Sequence, residues 1–145
     1  MTIRIKKLRP NAKLPVYSSK GAAGADLFAC LEEAAVIQPG ETKMLPIGLA
    51  IEIPEGYVGL VHARSSLATK RGLAPANKVG VIDSDFRGEM MAALHNHGSV
   101  PQTVEPGERV LQMLIVPVVQ AVFEEAGELS ETERGAGGWG STGRR

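Results

Sequence analysis

The chain has 145 residues, and its 16 basic residues (Lys and Arg) and 16 acidic residues cancel to a formal net charge of zero at pH 7. That length predicts a single domain, and the balanced charge excludes a broad basic surface for nucleic acids or anionic membranes. A lone cysteine, Cys30, excludes an intramolecular disulfide, and no apolar run approaches the roughly 20 residues of a membrane-spanning helix. Because the amino terminus also lacks a signal-peptide pattern, we expect a cytoplasmic protein.

The 17 glycines and 9 prolines favour many turns and therefore a β-rich chain. Three segments that combine Pro with Gly, at residues 38–41, 53–56 and 105–108, predict type II turns at strand ends. The spacing of short apolar runs indicates a sandwich, a jelly roll or a barrel. The runs predict eight strands, at residues 3–7, 25–30, 42–47, 49–53, 57–62, 78–82, 89–96 and 109–119.

Residues 65–71 break the β pattern and predict a short helix, with a serine hydroxyl as its N-cap and Gly72 at its carboxyl end. The last stretch, residues 134–145, is Gly-rich. It contains the letters of a dinucleotide fingerprint but lacks the strand and helix around it, and it lacks the lysine of a phosphate-binding P-loop. Its backbone amides, hydroxyls and Arg134 could wrap a phosphate chain, although a disordered terminus is the commoner outcome for such a tail.

Residues 78–94 comprise two apolar runs around a polar turn and predict a β-hairpin. Asp83 directly follows the first run, so we expect its carboxylate at the end of a buried strand, where partial desolvation suits a general base toward water. The alternative is that Asp83, Ser84 and Asp85 only form the turn.

Two other segments carry chemistry of their own. Arg64, Ser65 and Ser66 stand at a strand-to-helix junction, where a guanidinium, two hydroxyls and helix amides make an anion site, or where the serines merely cap the helix. Asp26 lies within an apolar strand, and a buried carboxylate needs a partner or a function.

His95 and His97 share one strand face and could form half of a metal site. No third ligand is evident in the sequence, so a polar strand end is the favoured interpretation.

Five segments, taken together and in order, closely resemble the motifs of the trimeric deoxyuridine triphosphatase family. They are Ala-Gly-Ala-Asp-Leu (23–27), Ala-Arg-Ser-Ser-Leu-Ala (63–68), the segment from Asn77 through Gly-Val-Ile-Asp-Ser-Asp-Phe-Arg-Gly-Glu (77–89), Pro-Gly-Glu-Arg-x-x-Gln-Met (106–113) and Arg-Gly-x-Gly-Gly-x-Gly-Ser-Thr-Gly (134–143). The resemblance spans nearly the whole chain. It implies an all-β, distorted jelly-roll barrel or sandwich with one short helix at residues 1–133, and a flexible carboxyl-terminal arm at residues 134–145 that closes over the active site.

The resemblance also implies a function. Family members are homotrimers whose active sites are shared between subunits, and they use Mg²⁺ to hydrolyse dUTP to dUMP and pyrophosphate, without binding nucleic acid or membrane. The reaction limits uracil incorporation into DNA and supplies dUMP for thymidylate synthesis.

Residue roles follow from the same resemblance. Asp83 activates the water that attacks the α-phosphorus, and Arg64, Ser65 and Ser66 bind the phosphate chain. Asp26 and Gln112 hold waters around the metal rather than the metal itself. The other implied substrate-binding positions are Asn77, Gly80, Val81, Ile82 and Met91 around the uracil, Phe86 beneath the deoxyribose, and Arg134, Gly138, Trp139, Gly140 and Ser141 in the arm.

Two positions depart from the family pattern. Phe86 stands where most members have Tyr, which keeps the flat ring but loses the hydroxyl, and Trp139 stands where the arm usually has Phe. The nearest rival is a dCTP deaminase, which has a general-base Glu on the strand after the predicted hairpin, where this chain offers only Glu89 at the turn. A second rival is a regulatory protein that senses nucleotides without cleaving them.

Overall fold

In a computed structural model that describes residues 1–138, the chain forms eleven β-strands and one α-helix within that range. In chain order they are β1 (Arg4–Lys7), β2 (Ala25–Phe28), β3 (Ala35–Ile37), β4 (Thr42–Pro46), β5 (Leu49–Glu52), β6 (Tyr57–Ala63), α1 (Ser65–Arg71), β7 (Leu73–Pro75), β8 (Gly80–Ile82), β9 (Met91–Asn96), β10 (Gln102–Val104) and β11 (Arg109–Pro117). The expected all-β architecture with a short helix is confirmed.

The strands pair antiparallel in four sheets. The largest has the order β2-β11-β6-β8, a second has the order β4-β9-β7, and β1-β5 and β3-β10 form two-stranded ribbons. The nine-residue strand β11 lies between β2 and β6, so it joins the strand that carries Asp26 to the strand that leads into α1.

The core between the sheets is aliphatic, as the scarcity of aromatic residues requires. Strand β9 shows the alternation of a half-buried strand, with Ala92 and Leu94 turned inward. Asn96 is also fully buried on that strand, and its amide donates to the carbonyls of Ile37 and Val100. The largest apolar side chains of the core are Leu27, Ile37, Ile47, Leu49, Ile51, Ile53, Leu73, Leu94, Val104 and Val110.

Two of the three predicted turns lie where the sequence placed them. Gly40 and Gly107 occupy their third positions with φ of 76° and 73°, values that glycine adopts without steric cost. The third turn is displaced by one residue, because Tyr57 N donates to Pro54 O at 3.2 Å and so places Gly56 at its third position.

The predicted hairpin of residues 78–94 is wrong. Strand β8 pairs with β6, whereas β9 pairs with β4 and β7, so the two strands belong to different sheets. Gly80 allows β8 to lie close against β6, since a Cβ there would stand 3.2 Å from Cβ of Val61. The inward side chains of β9 instead complete the core above β4. Residues 83–90 therefore cross between sheets.

The helix begins differently from the prediction. Arg64 occupies the N-cap position without a side-chain capping bond, and both serines lie inside the first turn, so the predicted serine N-cap is wrong. The predicted end is confirmed, because Gly72 adopts φ of 66° and its amide donates to Ala68 O. No helix within residues 1–138 is long and apolar enough to cross a membrane.

Three strands, β3, β7 and β10, were not predicted from the sequence. Each has three residues, which is too short for an alternating pattern to register.

Candidate active site

Asp26 organises a cluster of four polar side chains at one end of the largest sheet. Its Oδ1 accepts from Arg64 Nε at 2.8 Å, and its Oδ2 accepts from Ser18 Oγ at 2.7 Å and from Arg109 Nη1 at 3.2 Å. Ser18 reaches the carboxylate because Val16 forms an isolated bridge with Asp26. We call Ser18, Asp26, Arg64 and Arg109 the Asp26 cluster.

The cluster fixes the charge of this carboxylate. Asp26 is 5% exposed, and burial alone would raise its pKa. The hydrogen bond from Ser18, the charge of Arg64 and the hydrogen bonds from both guanidinium groups outweigh the burial, so the pKa lies below its ordinary value. Asp26 is therefore ionised at neutral pH, and the expectation that a buried carboxylate needs a partner or a function is met by three partners, one hydroxyl and two guanidinium groups.

Arg64 is held by one edge of its guanidinium. Its Nε binds Asp26, and within residues 1–138 its two Nη groups donate no hydrogen bond. Ser65 and Ser66 follow it at the surface. The arrangement leaves a planar pair of N–H donors beside two hydroxyls, which suits a phosphate group.

Gln112 lies across the sheet from Asp26 and joins the same site. Its Nε2 donates to Ala63 O at 2.9 Å, which leaves Oε1 next to Gly24. A Cβ at Gly24 would stand 2.9 Å from that oxygen, so this position keeps the amide in place by being glycine. The residues of this end surround a cavity of about 620 Å³, which is lined by Gly24, Asp26, Arg64, Ser65, Ser66 and Gln112 among others.

The oxygen donors of this cavity suit a hydrated divalent cation. Gln112 Oε1 and the Asp26 carboxylate are hard oxygen ligands of the kind that Mg²⁺ prefers. Two guanidinium groups already share the carboxylate, which disfavours direct coordination and favours contact through water. Within the described residues, no group of three or more His, Cys, Asp or Glu side chains is arranged to hold a metal.

Asp83 does not belong to the Asp26 cluster and lies at a second site. It directly follows β8, which is the edge strand of its sheet, and it lines a cavity of about 950 Å³ with Val81, Ser84 and Asp85. The expectation of a buried strand is wrong for the single chain, because Val81 is 59% exposed and Asp83 is also exposed. An edge strand has a sheet neighbour on one side, which explains the exposure.

The two places stand far apart along one strand. Ile82 pairs with Gly59, so Asp83 lies level with Val58, whereas Arg64 follows the opposite end of β6. Six residues of extended chain separate these levels, which amounts to about 20 Å at the usual strand rise. One chain therefore does not bring Asp83 to the Asp26 cluster.

The residues expected around the base and sugar lie mainly on the Asp83 side. Gly80, Val81 and Ile82 form β8, and the amide nitrogen of Asn77 lies 3.9 Å from the position of a Cβ on Gly80. The Phe86 ring covers Gly88, where a Cβ would approach the ring to 2.7 Å.

Met91 begins β9 opposite Pro46, so it belongs to the neighbouring sheet. Its side chain is 39% exposed there.

The arm is partly described. Arg134 donates from Nε to Gly137 O at 2.8 Å within a local turn, and Gly138 ends the described range. The expectations for Trp139, Gly140 and Ser141 lie outside the described residues.

The two histidines form a polar pair near the surface, and no further metal ligand joins them within residues 1–138. Their ring centroids are 4.3 Å apart, with Thr42 Oγ1 2.8 Å from His95 Nδ1 and Lys78 Nζ 3.2 Å from His97 Nε2. Local desolvation and the charges of Lys78 and His95 all lower the pKa of His97.

Sequence reasoning missed Ser18 and Arg109 as members of the site. Arg109 carried a signal, because a charged residue directly after a Pro-Gly turn begins the strand that pairs with Asp26. Nothing in the sequence marked Ser18, because its position next to Asp26 depends on the bridge between Val16 and Asp26.

Comparison with known proteins supplies a family for this arrangement. A family model described as dUTPase matches residues 10–143. A deoxyuridine 5'-triphosphate nucleotidohydrolase of Desulfitobacterium hafniense is 54% identical over 132 residues, covering 90% of this chain and 87% of that protein. Another, from Acinetobacter baumannii, is 46% identical over 150 residues and covers all of both chains. The solved Staphylococcus bacteriophage 80alpha dUTPase with dUPNHPP has a TM-score of 0.90 at 29% identity and covers 98% of each chain. The expected jelly-roll fold is confirmed by this likeness.

Proposed function

The chain belongs to the dUTPase family and is a dUTP diphosphatase, and we propose that it cleaves dUTP by attack of an Asp83-activated water in active sites shared among three copies. The products are dUMP and pyrophosphate. One observation carries the proposal: the residues that must meet on one triphosphate lie at opposite ends of β6. A second copy must therefore bring the Asp26 cluster to Asp83.

Asp83 acts as the general base. A carboxylate accepts a proton from water as the water oxygen attacks the α-phosphorus, and the bond to the bridging oxygen of pyrophosphate breaks. The exposed position of Asp83 in the single chain gives access to the water, and contact with a neighbouring copy would exclude bulk solvent from the carboxylate.

The phosphate end stabilises the leaving pyrophosphate. The two Nη groups of Arg64, which donate no hydrogen bond within the described residues, and the hydroxyls of Ser65 and Ser66 donate to the phosphate oxygens as negative charge develops on them. Asp26 and Gln112 would hold waters around Mg²⁺. When bound, Mg²⁺ neutralises charge on the triphosphate.

Strand β8 recognises the uracil base. As an edge strand, it turns one row of backbone N–H and C=O groups away from β6, and these groups pair with the O4 and N3–H of uracil together with Asn77. Cytosine reverses that pattern and leaves buried polar groups unpaired, which is a strong basis for rejection. Met91 closes the uracil pocket, and the Phe86 ring lies beneath the deoxyribose and excludes a 2′-hydroxyl by its bulk.

The homotrimer has support in the surface of the chain. Residues 118–138 contain no helix or strand and leave Val119, Val122, Phe123 and Leu129 at least 88% exposed. Exposed apolar side chains of this number on a segment without regular secondary structure are typical of a surface that packs on another chain. A threefold ring is the closed arrangement in which each copy gives one face and receives another.

The arm completes the site. Arg134 binds the phosphates, Gly138, Gly140 and Ser141 supply backbone and hydroxyl donors, and Trp139 stacks on the uracil. Closure of the arm excludes bulk water from the reaction. In a cytoplasmic setting the reaction limits uracil incorporation into DNA and supplies dUMP for thymidylate synthesis.

Pyrophosphate release in the presence of Mg²⁺ tests the function directly. We expect rapid release from dUTP and little from dCTP, dTTP or UTP. Equal rates on all four nucleotides, or ammonia release from dCTP, would contradict the proposal.

The matched variants for this assay are Asp83→Asn and Asp85→Asn, which remove neighbouring exposed carboxylates. Loss of the general base should lower kcat about a hundredfold or more while dUMP binding persists, whereas Asp85→Asn should leave kcat within about twofold. A near-normal kcat for Asp83→Asn would remove Asp83 from the mechanism.

A further inference from the structure

A β-bulge in β11 turns Arg109 toward Asp26. Arg109 pairs with Phe28 and Leu111 with Leu27, so one extra residue, Val110, is inserted in β11. Regular alternation would place Arg109 and Gln112 on opposite faces of the strand. The extra residue restores Arg109 to the face of Gln112 and Asp26. Bulges commonly redirect a side chain beside a functional site.

The redirected guanidinium fixes the second oxygen of Asp26. Arg109 Nη1 lies 3.2 Å from Oδ2, which Ser18 also contacts, and Oδ1 is left to Arg64. With both oxygens engaged, the carboxylate has one orientation, and that orientation sets the direction of the Arg64 side chain. Without Arg109, Oδ2 would keep only the uncharged donor of Ser18, and such a bond is weaker than a charge-assisted one and holds the carboxylate plane less firmly.

Arg109 also sets the charge of the cluster. One carboxylate faces two guanidinium groups, so the cluster keeps a net positive charge that an anion can meet. A simple Asp26–Arg64 pair would be neutral. Arg109 is 48% exposed, so its attraction to Asp26 is screened and its contribution is moderate.

We propose that Arg109 is a positioning residue, which acts through Asp26 to direct the Nη groups of Arg64 at the β- and γ-phosphates. The inference rests on the proposed function, because it assigns these phosphates to Arg64. It predicts an effect that is confined to the pyrophosphate half of the substrate.

The test compares Arg109→Gln with Arg9→Gln in the full chain. Arg9 is a matched control, since it is 46% exposed and pairs with the carboxylate of Glu89 away from the Asp26 cluster. Calorimetry with Mg²⁺ present measures the Kd of inorganic pyrophosphate and, separately, of dUMP. We expect Arg109→Gln to raise the pyrophosphate Kd and the dUTP KM about fivefold, with the dUMP Kd unchanged. Arg109→Lys should restore part of the loss.

A double variant separates positioning from direct contact. In an Arg64→Gln background, the further change Arg109→Gln should raise the pyrophosphate Kd by less than about twofold, because no guanidinium remains to be directed and only the screened charge of Arg109 is lost. A renewed fivefold rise would mean that Arg109 binds the anion itself and would overturn the proposal. So would equal weakening of pyrophosphate and dUMP, or behaviour equal to Arg9→Gln while the wild-type chain cleaves dUTP. Failure of the wild-type chain to cleave dUTP would instead overturn the proposed function.

Discussion

Asp26 shows how far a single residue can be understood from sequence. A carboxylate within an apolar run demands a compensating partner, and that demand was visible before the structure was known. The identity of the partners was not visible, because Arg64 and Arg109 lie 38 and 83 residues away along the chain. Pairing between distant strands, and a bulge that no local pattern marks, decide which side chains arrive.

The lowered pKa of Asp26 makes a prediction about stability. The unfolded chain takes up the proton near the ordinary value of 3.8, and the folded chain resists it to lower pH. The stabilisation is therefore complete above pH 3.8 and declines as the pH falls through the lower folded value.

Asp26→Asn removes this contribution. We expect the variant to lose about 2 kcal/mol of unfolding free energy at pH 7, and the difference from wild type to shrink below pH 3.8. Urea unfolding across pH at fixed protein concentration measures both. A difference that stays constant from pH 7 to pH 3 would show that Asp26 stabilises the fold by some means other than its charge.

At the scale of elements, the sequence was most informative where a local rule applies. The strands with alternating or apolar runs, the Pro-Gly turns and the glycine that ends α1 all follow from period and backbone preference. The predicted hairpin failed because adjacency in sequence does not decide pairing. The absence of a side chain at Gly80 lets β8 pack closely against β6, whereas the inward side chains of β9 are buried in the hydrophobic core.

Gly72 offers a test of the helix end. Its φ of 66° strains any other residue, and an added Cβ would stand 2.9 Å from the backbone nitrogen of Gly98. Gly72→Ala should therefore cost about 2 kcal/mol or more of unfolding free energy.

Gly40 is the control for that substitution, because it has a φ of 76° with nothing within 4 Å of an added Cβ. Gly40→Ala should cost only about 1 kcal/mol, the backbone strain alone. Equal losses in thermal or denaturant unfolding would show that contact with Gly98 adds nothing.

At the scale of the whole molecule, strand β6 separates the Asp26 cluster from Asp83, two groups that the proposed reaction requires on one substrate molecule. The motifs identified the residue types of a complete site, and the fold then placed them in two groups about 20 Å apart. A sequence contains no information about which copy supplies which group, since every copy carries both. The separation follows only from the register of β6 with β8, and under the proposed function it makes assembly a requirement of activity.

Mixed assemblies test that requirement most directly. Chains that carry Asp83→Asn and chains that carry Arg64→Gln are each expected to be nearly inactive alone, and both should sediment with the mass of three chains. Co-expressed in equal amounts, they place an intact Asp83 opposite an intact Arg64 in about one quarter of shared sites. We therefore expect the mixture to regain about one quarter of wild-type pyrophosphate release from dUTP, whereas a mixture no more active than its two components would contradict a site shared between copies.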